Sequence, residues 1–327
     1  MRIIFMGTPD FAVTTIEALY QAGHEIVLVV TQPDKPKGRG KSVQFPPVKE
    51  WAVEHELPVF QPVKIREAEC IEELRKYQAD IMVVAAFGQI LPREILEMPQ
   101  YGCVNVHASL LPKYRGASPI QWAVINGDEV SGVTTMQMGV GLDDGDMLLK
   151  EEVKLAADET GGSLFNRLAV VGGELIVRTL CELEQNNITP IPQKEEDATH
   201  VGMIKKQMGC IDFHKSATEI ERLIRGMNPW PSAYTHYQGK TLKIWKAEVI
   251  TDTELTQICD TVDAIESVRT EEADHVGHIC YVNKTHVYVL CGEDILSLQE
   301  IQLEGKKRMK IEDFLRGHMM EEGEVLE

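Results

Sequence analysis

The sequence is short of positive charge, of paired cysteines and of long apolar runs. Its 33 Lys and Arg stand against 51 Asp and Glu, a formal net charge of -18. This excludes a nucleic-acid binder that works by bulk charge, so any phosphate polymer must be held by local basic segments. The seven cysteines (Cys70, Cys103, Cys181, Cys210, Cys259, Cys280, Cys291) are odd in number and scattered, with no C-x-x-C pair among them. A disulfide framework and a zinc ribbon are thereby excluded, and reduced intracellular thiols are expected. No stretch approaches the ~18 apolar residues of a membrane span, and the apolar run at residues 3–6 is too short for a secretory signal. The reading is a soluble cytoplasmic protein, of a bacterial cytosol more than of an organelle because no presequence is evident. At 327 residues the length suits two domains of roughly 150 residues each. With 43% hydrophobic and 26% charged residues, the chain is of ordinary globular composition.

Apolar runs and helical periodicities alternate along the first half. Residues 3–6 form a short apolar run ended by Gly7-Thr8-Pro9-Asp10. Ile16, Leu19 and Tyr20 then recur at helical spacing until Gly23, and residues 26–30 are a second run. The pattern continues with a helix over 67–77, strands at 81–86 and 102–106, a helix around 120–125, a strand at 133–138 and a long helical stretch over 158–183. It predicts an α/β domain with a doubly wound, mostly parallel, Rossmann-like sheet and a site at the carboxyl edge of its strands. The run N-N-I-T-P-I-P-Q over 186–193, followed by Lys194-Glu195-Glu196-Asp197, breaks the periodicity and reads as a linker. Beyond it, Ile220, Leu223, Ile224 and Met227 make one helical face, and short alternating runs after Pro229-Trp230-Pro231 predict a small, mostly β, OB-like barrel. The expected layout is a first domain over 1–188, a linker over 189–206 and a second domain over 207–327. The acidic stretch 251–274 is expected as a loop or exposed helix.

Gly7 sits where a dinucleotide-binding fold places its phosphate glycines, and Asp34 stands where a ribose-binding acid would. The second and third glycines of that pattern are Pro9 and Ala12 here. A pyrrolidine at the point of closest approach favours a tight strand-to-helix turn over a pyrophosphate site, which counts against a nicotinamide-dependent oxidoreductase.

The segment Asn105-Val106-His107-Ala108-Ser109-Leu110-Leu111-Pro112 is the most informative in the chain. If a strand ends at His107, Asn105 and His107 project from the same face, because side chains alternate with a period of two. An amide and an imidazole converging there can bind a developing oxyanion, and the imidazole can also move a proton. The alternative is a pair that only satisfies nearby backbone. Gly139 to Asp146, read G-V-G-L-D-D-G-D, is a glycine-rich turn able to carry Asp143 to the same place. A carboxylate beside an imidazole favours its charged form and fixes its orientation. The EF-hand spacing is missing, which removes a calcium loop, and no metal is expected.

With Ser109-Leu110-Leu111-Pro112 and Gly132-Val133-Thr134, these three residues resemble the signature of the folate-dependent formyltransferases. The similarity extends to residues 1–13 and the 32–49 loop, to Ala86-Phe87-Gly88-Gln89-Ile90-Leu91-Pro92, and to Asn228-Pro229-Trp230-Pro231. It is greatest for the branch of the family that formylates methionine on initiator tRNA. The resemblance implies 10-formyltetrahydrofolate as formyl donor and a catalytic triad of Asn105, His107 and Asp143. It further implies a donor-binding cleft built from Phe87, Gly88, Leu91, Ser109, Leu110, Leu111 and Pro112. Relatives acting on amino-sugar nucleotides or on water share the chemistry, and a non-catalytic tRNA-binding module is the alternative of another class. The 34–49 loop carries Lys35, Lys37, Arg39, Lys41 and Lys49 against Asp34 alone. By its match to the family's inserted loop it is expected to meet the acceptor stem, with further phosphate contacts from Lys205, Lys206, Lys306, Lys307 and Arg308. A monomer suits a protein that wraps a tRNA.

Overall fold

Unbroken apolar runs make Arg2–Gly7 (β1) and Glu25–Val30 (β2) strands buried on both faces, as a parallel sheet requires. Between them Asp10–Gln21 (α1) turns Phe11, Ala12, Thr15, Ile16 and Leu19 inward. The computed structural model describes residues 1–36, 43–251 and 275–327. Pro47–Glu54 (α2), Val59–Phe60 (β3), Ala68–Arg75 (α3) and Ile81–Ala85 (β4) continue the alternation. They are followed by Arg93–Leu96 (α4), Cys103–His107 (β5), Pro119–Asn126 (α5), Val130–Gln137 (β6), Met147–Lys154 (β7) and Gly161–Glu184 (α6).

These seven strands form one sheet in the order β7-β6-β5-β4-β1-β2-β3. The strands from β3 to β5 run parallel, and β6 and β7 are antiparallel additions at one side. The expected doubly wound, mostly parallel sheet is therefore present. Chain order reverses at β1, so β4 and β5 deliver their carboxyl ends beside a topological switch point, where such sheets bind ligands. At Gly7 an added Cβ would stand 2.6 Å from Ala12 Cβ and 2.9 Å from the Ala85 carbonyl oxygen. That glycine serves close strand-to-helix packing. Asp34 accepts from Gln61 at 2.7 Å and pairs with Lys49 at 2.6 Å, and these two partners hold its carboxyl below the ordinary range.

By packing, the chain divides into two units, 1–119 with 129–155 and 164–202, and 120–128 with 156–163 and 203–327. The segment expected as a linker is laid onto the first unit as far as Gly202. Ile191 exchanges backbone hydrogen bonds with Met147, and the short strand His200–Val201 pairs with Arg115–Gly116. Backbone groups that meet partners in this way are ordered despite the two prolines, because each pairing replaces a bond to water.

In the second unit, Ala217–Gly226 (α7) begins with a capping box between Ser216 and Glu219. Ala233–Tyr237 (β8), Lys240–Ile250 (β9), Ile279–Val282 (β10), Val287–Leu290 (β11), Ile295–Leu303 (β12) and Met309–Lys310 (β13) precede the short helix Ile311–Leu315 (α8). The antiparallel order is β8-β9-β12-β11-β10, with β13 on β12. The carboxyl-terminal residues join the two ends of this ladder. Glu327 exchanges backbone hydrogen bonds with His236 of β8, and the Ile279 amide of β10 donates to the Glu324 carbonyl. Leu326 is buried in the enclosed core with Ile220, Ile244, Leu298 and Phe314. Among the described residues no helix is long and apolar enough to cross a membrane.

Candidate active site

Strand β5 lies between β4 and β6, and every one of its residues is buried. Period-two alternation sends Asn105 and His107 to one face at the carboxyl edge, where they are 8% and 6% exposed. His107 Nε2 donates to the Tyr114 carbonyl at 2.9 Å, which leaves Nδ1 to face Asp143 Oδ2 at 3.7 Å. That separation is an ion-pair distance and exceeds a hydrogen bond. The Asp143 Oδ2 atom accepts the Gly116 amide at 2.8 Å. The side-chain amide of Asn105 makes no hydrogen bond to a described residue, so a nearly buried donor is held beside the imidazole with its capacity unspent.

Asp143 reaches this place on a tight turn, with its own φ at +51° in the left-handed region that Asp tolerates better than most residues. At Gly145 the backbone passes so close to the Gln137 carbonyl that no side chain fits. Gln193 binds the turn from outside, its Nε2 donating to the carbonyls of Asp143 at 2.8 Å and Gly145 at 2.7 Å. Gln193 Oε1 accepts from Arg115 Nε at 2.9 Å, and Arg115 also pairs with Glu195 at 2.8 Å.

Two loops leave the neighbouring strand ends. After β5, Thr134 Oγ1 donates to the Ser109 carbonyl at 2.7 Å and accepts from the Leu111 amide at 3.1 Å. Lys150 Nζ donates to the Leu111 carbonyl, and burial lowers the pKa of this amine. Thr134 is paired with His107 in one register and with Lys150 in the next, so one row across β5, β6 and β7 fixes both the imidazole and the loop. The Leu111–Pro112 bond is cis. Ser109 Oγ donates to the Lys113 carbonyl at 2.6 Å, and Leu111 is wholly buried, while Leu110 and Pro112 are half-buried. After β4, the Phe87 carbonyl accepts from Gln32 Nε2 at 3.0 Å and from the Thr8 hydroxyl at 3.3 Å. The Phe87 and Leu91 side chains enter the core, whereas Gly88 and Ile90 are exposed. Of the apolar side chains in the two loops, Ile90 is exposed and Leu110 and Pro112 are half-buried. Phe87, Leu91 and Leu111 anchor the loops from below.

Of the basic residues, Lys35 is exposed in a two-residue ribbon, Lys35–Pro36 with Val43–Gln44. Lys37, Arg39 and Lys41 lie outside the described residues, as does most of the acidic 251–274 stretch. Lys205, Lys206, Lys306 and Lys307 are exposed on the second unit. Arg308 pairs with Glu300 and lies 4.9 Å from the Trp245 ring centroid. Among the described residues no group of three or more His, Cys, Asp and Glu is placed to hold a metal ion.

Sequence reasoning did not single out Arg115, Gln193 or Lys150. None has a local signal, because each acts by reaching a carbonyl or side chain remote in the chain. The turn residues Arg115-Gly116 beside the signature run were the nearest available hint.

The family model for formyl transferase matches residues 1–180, and the model for its C-terminal domain matches residues 203–319. The chain is 58% identical to methionyl-tRNA formyltransferase of Agathobacter rectalis over 99% of this chain and 98% of that one. It is 44% identical to methionyl-tRNA formyltransferase of Acetivibrio thermocellus over 100% of this chain and 99% of that one. Among solved structures, an N-formyltransferase of Helicobacter canadensis in complex with folinic acid and dTDP-3-aminofucose shares the fold. Its TM-score is 0.64 at 18% identity, covering 90% of this chain and 98% of that one. A methionyl-tRNA formyltransferase from Clostridium thermocellum gives a TM-score of 0.51 over 76% of this chain and 94% of that one. With both domains matched and near-full-length relatives at this identity, the chain belongs to the methionyl-tRNA formyltransferase family.

Proposed function

We propose that this enzyme transfers the formyl group of 10-formyltetrahydrofolate to the α-amino group of methionine on initiator tRNA, with Asn105, His107 and Asp143 as its catalytic residues. The observation that carries the assignment of roles is the meeting of a nearly buried amide, unpaired among the described residues, with an imidazole and a carboxylate at the carboxyl edge of β5.

The donor supplies an electrophilic carbonyl carbon. Asn105 and the Nδ1 side of His107 donate to the carbonyl oxygen as the attacking amine drives negative charge onto it. Asp143, held by the Gly116 amide, takes the proton that the amine nitrogen must lose, directly or through water. Collapse of the tetrahedral intermediate breaks the bond from the formyl carbon to the donor nitrogen, which takes up a proton and leaves as tetrahydrofolate. The loops at 86–92 and 109–112 hold the donor's pterin, through backbone and through Ile90, Leu110 and Pro112. The side chains of Phe87, Leu91, Ser109 and Leu111 keep those loops in place.

Lys35, Lys37, Arg39 and Lys41 meet the acceptor end of the tRNA. Lys205 and Lys206 bind phosphates from the linker and Lys306, Lys307 and Arg308 from the second domain, in a division into a catalytic part over 1–188, a linker over 189–206 and a tRNA-binding part over 207–327. Within a Debye length of about 8 Å at physiological salt these local clusters act despite the negative net charge. The enzyme works as a monomer in a bacterial cytosol.

Incubation with 10-formyltetrahydrofolate and methionyl initiator tRNA tests the reading: formylmethionyl-tRNA must form, and an amino-sugar nucleotide offered as acceptor must not be formylated. Formylation of the sugar with no product on the tRNA overturns it.

A further inference from the structure

Between residues 189 and 197 every side chain is exposed except that of Gln193, which is half-buried. This one amide turns in upon the turn that carries Asp143. Its Nε2 reaches two carbonyls there, those of Asp143 and Gly145, and the segment is tied to the same turn a second time where Ile191 pairs with Met147. We infer that Gln193 is a positioning residue for Asp143, a role that rests on the reading of Asp143 as the catalytic carboxylate.

The orientation of the amide follows from its other end. An arginine only donates, so the hydrogen bond from Arg115 Nε requires the oxygen of Gln193 on that side and leaves both N–H groups for the carbonyls. Arg115 is itself 3% exposed and held by Glu195. The guanidinium therefore selects one of two amide rotamers, and that rotamer grips the turn. Residue 116, next along the chain, supplies the amide that fixes Asp143 Oδ2. The Asp143 carboxylate is thus held by the Gly116 amide and its backbone by Gln193, which the neighbouring Arg115 orients. Without Gln193, a turn whose central residue sits at positive φ loses the donor on its Asp143 and Gly145 carbonyls, while the Gly116 amide still meets the carboxylate.

Reacting groups lose rate steeply when displaced, by up to about 100-fold for a shift of about 1 Å. Gln193→Met removes both donors at nearly constant volume. Gln193→Glu also removes them but keeps an acceptor for Arg115, so the buried guanidinium stays paired, and it serves where the methionine variant fails to fold. Each is measured for formyl transfer to methionyl-tRNA in the wild-type chain and beside Asp143→Asn. In the wild-type chain kcat is expected to fall about 10-fold with both KM values little changed, as loss of catalytic geometry alone requires. Beside Asp143→Asn the same replacement is expected to lower kcat less than about two-fold, because the group it positions is already gone. Equal fold-losses in the two backgrounds, or an undiminished kcat in the wild-type chain, overturn the positioning role. A near-normal kcat for Asp143→Asn alone overturns the catalytic assignment, and the positioning role falls with it. A crippled Asp143→Asn enzyme beside unaffected Gln193 variants overturns the positioning role only.

Discussion

His107 and Asp143 face each other, Nδ1 to Oδ2, across 3.7 Å. The carboxylate is held by the Gly116 amide and the imidazole by the Tyr114 carbonyl, so neither is free to close the gap without giving up a bond. A protonated Nδ1 there can donate to an oxygen while Asp143 keeps an acceptor for an ammonium proton, the two demands of the proposed transfer.

Removing the oxyanion donors should lower the rate with little effect on binding. Asn105→Ala and His107→Ala are each expected to reduce kcat about 10² to 10³ fold, as loss of one such donor does elsewhere. Single-turnover formylation of methionyl-tRNA measures it, and a near-wild-type rate for either variant removes that residue from the role.

Thr134 is wholly buried and satisfies two backbone groups of the 109–112 loop with one hydroxyl. Thr134→Val keeps the shape and leaves the Leu111 amide without that partner, which should cost about 1 to 3 kcal/mol of stability. Denaturant unfolding reads the loss. Because the loop is freed, the KM for the formyl donor should rise as well, and an unchanged KM would detach this loop from donor binding.

The barrel-closing tail should be sensitive to acid. Burial works to raise the Glu324 carboxyl. The Glu321 amide, the Tyr237 hydroxyl and Gln238 outweigh it, so the folded pKa lies below the ordinary value. A depressed carboxyl contributes stability that is present above its unfolded pKa and is lost as pH falls through the folded one. Thermal midpoints recorded from neutral pH down to below the usual carboxylate range, near pH 4, should therefore decline more steeply for the native chain than for Glu324→Gln. Parallel curves would show that the carboxylate carries no such linkage.

Arg39→Ala and Lys41→Ala should weaken tRNA binding and flatten its salt dependence, by roughly 0.7 to 0.9 in log–log slope for each phosphate no longer neutralised. Filter binding over a salt series measures both. Affinity and slope unchanged in the double variant would release the loop from tRNA recognition.

Much of the first domain is legible residue by residue. The apolar runs at 3–6, 26–30 and 81–86 announce strands buried on both faces, the last ending at Ala85, and Asn105 and His107 share a face because a strand alternates. The small barrel of the second domain is predicted too, but not the segment that joins its ends. In the acidic carboxyl-terminal stretch Leu326 is in the core and Glu324 and Glu327 pair with β10 and β8. Backbone pairing of that kind leaves no mark in composition, since every residue carries the same donor and acceptor.

Local pattern is enough for strand, helix and the chemical kind of the three site residues, because propensity, periodicity and side-chain chemistry are properties of neighbours in the chain. Which oxygen of Asp143 meets which nitrogen of His107, and that Gln193, Arg115 and Thr134 hold them there, came only with folding. Such pairings join residues far apart in sequence through distances of a few ångströms, and only the packed sheet and its loops bring those positions together.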